Sequence, residues 1–531
     1  MTQIKTSNRS SRRQASNALF QRLKIGRVFG ALLSSIVLIV LFNNCSNAAI
    51  EGLAQEETIQ SAYSLQLEFT RVDSPGLSPF DVTVHLMKEG KYFKGQTLEL
   101  DIPAGTVSEV TENPNGTYNF RVTPSGSGVY PVTVKFQTES VKREAIVAQR
   151  YGTMVGQPLL VSGMVNTEGY EDGATITPDG QYLFVQYGPL YFSGLFLFSS
   201  ICKSLDFSVG FDILGCSGKD DADWVFKTIG PTLAPLRPDF PTGAIEQGKL
   251  THIKLIDPGN LNGIPLFPTT FYGFKRQNDG TFAQPFKVGF NDPKGANGPF
   301  GLSFVMTTPT TAKFAVAWNN YFNNLGDEDP DIYAGTLTFG TSNNLGNVTY
   351  SGEDFQSITP NISPISFDTH AGQQGNPHLF YDSHGVVKSI WVDDEKLTHG
   401  LSVYKLTSDA FPSGTWVRES LPSKINTIAH VSQPFFTGSR LYLTRDTQLV
   451  YHDYIGSGHT DYGLDSAWGD EVVLLKSGDL GVGSIFGFGE PTIATMGDKK
   501  YLYFVVVRSR AAGIVAGRYD YNLDVGFVEI K

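Results

Sequence analysis

A chain of 531 residues is long enough for two or three domains, each with its own core. Its 52 acidic residues outnumber 41 basic ones, for a net charge of −11, which argues against nucleic acid or an anionic lipid face as partner. With 56 glycines and 12% aromatic residues, the composition favours turn-rich β structure over helix.

The N-terminus is a separate object. Lys5, Arg9, Arg12, Arg13, Arg22, Lys24 and Arg27 precede an apolar run from Val28 to Phe42, with no acid among them. A basic stretch followed by such a run predicts a secretory signal over residues 1–44. A spanning helix needs about 20 apolar residues, more than this run supplies. Cys45 follows directly and resembles the acceptor cysteine of a bacterial lipoprotein signal, although Phe42-Asn43-Asn44 departs from the Leu-small-small pattern of that family. The resemblance implies export and a membrane tether through lipid on Cys45. An ordinary cleaved signal and an uncleaved anchor are the alternatives. Without residues 1–44, 41 − 7 = 34 basic residues face 52 acidic ones, a balance of −18. Cys202 and Cys216 are then the one pair able to form a disulfide in an oxidising compartment, two reduced buried thiols being the alternative.

Residues 45–61 form a polar linker. Residues 62–150 show alternating short strands, as in Ser64-Leu65-Gln66-Leu67-Glu68-Phe69 and Asp81-Val82-Thr83-Val84-His85-Leu86, with turns at Asn115-Gly116 and Gly126-Ser127-Gly128. About seven such strands in about 90 residues predict a β-sandwich. The stretch from Asn115 through Tyr118 to Tyr130-Pro131-Val132-Thr133-Val134 resembles bacterial Ig-like domains of surface proteins.

A phrase then recurs: a polar residue, proline, an apolar pair, a turn, an aromatic strand. It stands at Asn376-Pro377-His378-Leu379, Gln433-Pro434-Phe435-Phe436 and Glu490-Pro491-Thr492-Ile493, with prolines separated by 57 and 57 residues. A fixed period built of short strands predicts a β-propeller over residues 151–531. The stretch Thr175-Ile176-Thr177-Pro178-Asp179-Gly180-Gln181-Tyr182-Leu183-Phe184, with Asp331-Ile332-Tyr333 and Gly414-Thr415-Trp416, resembles the PD40, or TolB-like, propeller repeat. The fold class is therefore all-β: an Ig-like β-sandwich followed by a propeller. Repeat starts lie near residues 171, 299, 376, 433 and 490. The long first gap holds either a sixth blade, the favoured count, or an insertion in a five-bladed ring. Residues 157–167 are expected to supply the last strand of the final blade.

Few residues stand out as chemistry. Asp327, Asp329 and Asp331 alternate as in a calcium loop, but Ile332 stands where an EF-hand needs glycine, so a solvated acidic loop is the competing reading. The chain has no H-E-x-x-H, G-x-S-x-G or Walker motif. Some five-bladed propeller glycoside hydrolases carry an acid at the inner strand of several blades, and a likeness to them implies Glu490 as general acid with Glu171 or Asp172 as the base across a sugar. Gln433 and Asn376 at the matching positions favour a structural role for Glu490 instead. The expectation is a non-enzymatic, lipid-anchored envelope protein whose propeller binds an envelope protein or glycan, without a cofactor unless it be calcium. A propeller glycosidase and a structural spacer or adhesin are the alternatives.

Overall fold

The computed structural model describes residues 63–71, 77–150, 154–167, 170–188, 270–288, 300–308, 311–319, 330–338, 362–365, 374–394, 400–408, 410–426, 431–476, 485–510 and 520–531. Antiparallel strands dominate them.

In the N-terminal region, strands Tyr63–Arg71, Phe80–Lys88 and Tyr118–Thr123 make one sheet, with short strands on its flanks. Strands Glu99–Asp101, Gly128–Phe136 and Glu139–Val147 run side by side in a second. Phe80–Lys88 alternates buried and half-buried residues along its length, the period-two pattern of a strand with one face on a core. That core includes Val82, Val84, Phe120, Val132 and Val134.

The strands beyond residue 170 read differently. Leu183-Phe184-Val185, Ala315-Val316-Ala317, Ile390-Trp391-Val392 and Leu441-Tyr442-Leu443 are buried on both faces. A second strand of a propeller blade is covered by the blade before it and the blade after it, so it carries a continuous apolar run. The innermost strands are Tyr170–Ile176, Phe300–Thr308, Gln374–Tyr381, Val431–Phe436 and Ile485–Met496, one in each of five sheets. The sequence-predicted repeat starts fall on these five strands. The described residues thus form five blades, the lower of the two counts expected. The reason is local: Tyr182–Gly188 and Thr270–Arg276 pair directly with each other. The long segment between them is therefore an insertion within the first blade.

Five apolar clusters join the blades pairwise. Val185 and Tyr272 of the first blade meet Tyr503 and Val525 of the fifth. Phe184 and Phe271 meet Phe304 and Phe314 of the second. Ala315 of the second meets Ile390 of the third. Trp391 of the third packs with Leu441 of the fourth, and Tyr442 of the fourth packs with Phe504 of the fifth. At the junction of chain ends, Leu159–Leu160 pairs with the last strand, Asp520–Ile530, with Leu159 opposite Phe527 and Leu160 opposite Gly526. Asn166 strengthens the seam: its Nδ2 donates to the Val525 carbonyl at 3.0 Å, and the Val525 amide donates to its Oδ1 at 2.7 Å.

Leu159 also lies opposite Ala145 of Glu139–Val147. One seven-stranded sheet consequently runs from the fifth blade through Leu159–Leu160 into the N-terminal strands. Residues Ser61–Lys531 form one compact unit. Among the described residues no helix is long and apolar enough to cross a membrane.

Candidate functional site on the propeller axis

Each innermost strand slips register against its neighbour beside the propeller axis, and three of them slip at a second point as well. The slips at equivalent places in the five blades fall between Asp172 and Thr175, Phe300 and Leu302, Gly375 and His378, Ser432 and Phe435, and Gly489 and Thr492. A β-bulge inserts a residue, kinks the strand and re-aims its side chains. At every bulge one residue adopts the left-handed conformation: Gly173 (φ 59°), Gly301 (φ 59°), Asn376 (φ 42°), Gln433 (φ 55°) and Glu490 (φ 54°). Glycine takes this region without cost and asparagine tolerates it, while for Gln433 and Glu490 it costs about 1–2 kcal/mol each. Such strain persists where surrounding contacts over-determine it.

Those contacts run from blade to blade. The Glu490 amide donates to Gln433 Oε1 at 3.0 Å, and Gln433 Nε2 donates to Glu490 Oε1 at 3.3 Å. The Gln433 amide donates to Asp393 Oδ1 at 2.6 Å, whose other oxygen accepts from Asn376 Nδ2 at 2.7 Å. Across the seam, the Ala174 amide donates to Glu490 Oε2 at 3.1 Å. The axial side chain of the fourth and of the fifth blade thus satisfies a backbone donor at the bulge of the blade that follows.

The five bulges line a pocket of about 370 Å³, its open mouth included. Each inner strand contributes three consecutive residues to it, among them Thr175, Ser303, Asn376, His378, Gln433 and Glu490, and none of the lining residues is a lysine or arginine. Asn376, Gln433 and Glu490 keep partial exposure to it.

Asp172, one residue before the lining Gly173, shares a hydrogen bond with Glu490. Burial pushes the Glu490 carboxyl well above its usual range, and the adjoining Asp172 charge pushes it further. The amides of Ala174 and Gly173 pull the other way without cancelling this. Burial also raises Asp172, opposed by its hydrogen bonds from Glu490 and Gly173. Two carboxyl groups in contact cannot both ionise, so the pair holds one proton between them, and Glu490 carries it. On the other side of the pocket, buried His378 is pushed down to about 4 by desolvation. It is neutral at pH 7, with Nε2 2.9 Å from the Phe436 carbonyl and its ring 4.1 Å from that of Phe435.

The two carboxyls that the sequence singles out are therefore brought together, but in contact and not on opposite sides of a sugar. The repeat explains why: Glu490 occupies the latch position that Gln433 fills one blade earlier. Asp393 and Thr444, which tie the network together, escape sequence reasoning because they sit on second strands, outside the recurring phrase. Among the other predicted residues, Asp331 lies in the strand Pro330–Thr338, opposite Trp318. Its companions Asp327 and Asp329, the lipidation candidate Cys45, and Cys202 and Cys216 lie outside the described residues. Among the described residues no group of three or more potential ligands could hold a metal ion.

No protein-family model and no curated protein matches this chain. Solved structures similar to it include an α-L-arabinanase of Cellvibrio cellulosa complexed with arabinohexaose, 16% identical, over 48% of this chain and 84% of that one, at a TM-score of 0.28. A subtype N11 neuraminidase-like protein (A/flat-faced bat/Peru) is 10% identical over 69% of this chain and 90% of that one, with a TM-score of 0.29. A structural genomics protein of unknown function from Bacteroides thetaiotaomicron is 10% identical over 88% and 99%, with a TM-score of 0.28. The expectation of a non-enzymatic propeller is corrected by the site itself, where a hydrogen-bonded carboxyl pair stands at the axial pocket.

Proposed function

We propose that the axial pocket is a hydrolytic site for a glycan of the cell envelope, with Glu490 as its general acid. The observation that carries this reading is the carboxyl pair. Glu490 holds its proton well above the usual carboxyl range and is partly open to a pocket lined by no lysine or arginine. General-acid cleavage needs a group of this kind: one still protonated at working pH beside a leaving oxygen. The uncharged lining of amides and hydroxyls suits a hydroxyl-rich ligand. The contact between Asp172 and Glu490 is closer than the roughly 5–5.5 Å of retaining or 6.5–9.5 Å of inverting glycosidases. Asp172 therefore acts on Glu490 and not across a sugar ring. In the cleavage step Glu490 gives its proton to the leaving oxygen. An incoming water then returns a proton to Glu490 while its hydroxide adds to the substrate carbon. The adjacent charge of Asp172 favours that return.

Export through the N-terminal signal and a lipid on Cys45 would place this site among envelope glycans. The test is release of reducing ends from a panel of envelope polysaccharides and aryl glycosides by the mature chain. Glu490→Gln keeps the size of the side chain and its acceptor for the Ala174 amide, gives up the bond from Gln433 Nε2 and removes the acid, and should lower the rate at least about 100-fold. Undiminished hydrolysis by the variant would sink the assignment.

A further inference from the structure

We infer that Gln433 is a positioning residue for Glu490, holding its carboxyl from both the backbone and the side-chain end. This rests on the reading of Glu490 as the acid of the axial pocket. The amide orientation is settled by its neighbours. The backbone N–H of Glu490 can only donate, so the Gln433 atom 3.0 Å away is the oxygen. The Thr444 hydroxyl donates to the same oxygen at 2.7 Å. Nε2 is left facing Glu490 Oε1 at 3.3 Å, where it donates. Oε2 receives the Ala174 amide. Both oxygens of Glu490 thus have a fixed N–H donor, one from the preceding blade and one from the following blade.

Two consequences distinguish positioning from plain support. The first is directional. An N–H donor stabilises a carboxylate more than the neutral acid, so Gln433 moderates the upward push of burial and of Asp172. Among the described residues, the ionisable groups facing Glu490 are Asp172 and, across the pocket, neutral His378, and no lysine or arginine lines the site. The second is geometric. The left-handed backbone at Glu490 aims its side chain at the axis, and the Gln433 oxygen bonds the amide of that strained residue. Position 433 is left-handed as well, so donor and acid stem from equivalent bulges of adjacent blades.

The experiment uses the full chain and needs no substrate. Infrared difference titration follows the carbonyl stretch of protonated Glu490, assigned by its loss in Glu490→Gln. In Gln433→Leu the titration should move to higher pH, and in Thr444→Val it should move the same way by less. A purely structural role would lower melting temperature and leave the titration where it is in wild type. An unchanged titration in folded Gln433→Leu overturns the inference. If that variant does not fold, Thr444→Val decides, and an unchanged titration there overturns it equally. Once a hydrolysed glycan is in hand, the alkaline limb of the kcat profile should shift with the titration while KM stays within about twofold. A shifted titration in a protein without hydrolytic activity would retain the role of Gln433 and reject the proposed reaction.

Discussion

At the left-handed position of the fifth blade a carboxyl group stands where the fourth blade carries an amide. Replacing Glu490 with glutamine restores the residue type of the repeat: the oxygen can still accept from Ala174 and the new amide can donate to Asp172, but it no longer accepts from Gln433 Nε2. Burial and Asp172 raise Glu490 above its ordinary 4.5, so between that value and its folded one the native chain holds a proton the unfolded chain has lost. Its contribution to stability is whole below about pH 4.5 and is lost as pH rises toward the folded value. Glu490→Gln should abolish that alkaline decline, so its denaturant midpoint should hold level from pH 5 to 8 while that of wild type falls. A decline in the variant as steep as that of wild type would contradict the shared proton. His378 works in the opposite sense. Its pKa falls from 6.5 to about 4, so stability is whole above pH 6.5 and is lost as pH drops toward 4. The loss is on the order of 3 kcal/mol, and His378→Phe should flatten that acid limb in urea titrations at pH 4 to 7.

At the scale of the strand, the bulge is the repeated unit. Its cost shows best where glycine occupies it. A Cβ on Gly301 would sit 2.7 Å from Asn376 Cα, at a φ of 59°. One on Gly173 would meet Gln186 Cβ at 3.2 Å, at the same φ. Gly301→Ala should therefore cost roughly 2–4 kcal/mol, and Gly173→Ala roughly 1–2. Chemical denaturation ranks the two; equal losses would mean that backbone strain alone, and not the neighbouring blade, sets the penalty. Prolines 377, 434 and 491 made three of these strands legible, because proline one residue past the bulge is the least disguised part of the phrase. The left-handed turn itself was not legible. Glutamine and glutamate seldom adopt it, so neither residue signals it. The contact between Asp172 and Glu490 was equally hidden: a chain pattern can place two acids on inner strands of two blades, but the distance between them follows from how far each bulge swings its side chain.

The ring as a whole depends on strands far apart in the chain. Deleting residues 157–167 removes the outer strand of the fifth blade, the Asn166 bonds to Val525 and Val161 from the core between the first and fifth blades. The melting transition should fall as one cooperative step; a fraying limited to one end would contradict closure by this strand. The closing strand was readable because Val165-Asn166-Thr167 repeats the exit Ile425-Asn426-Thr427 of a later blade. The blade count was not, since a long gap between repeats has the same length whether it holds a blade or an insertion. Only the direct pairing of Tyr182–Gly188 with Thr270–Arg276 separates the two.

The seam also sets an order of events during synthesis. Leu159–Leu160 leaves the ribosome before all five inner strands of the ring, yet its partner Asp520–Ile530 is the last strand to be made. For most of translation this edge has no blade to join, and an unpaired edge is a hazard for aggregation. Leu159 is opposite Ala145, so the N-terminal strands, complete by then, can hold the edge on one side. The early-made sandwich would act as a waiting template, and the final residues of the nascent chain would lock against it.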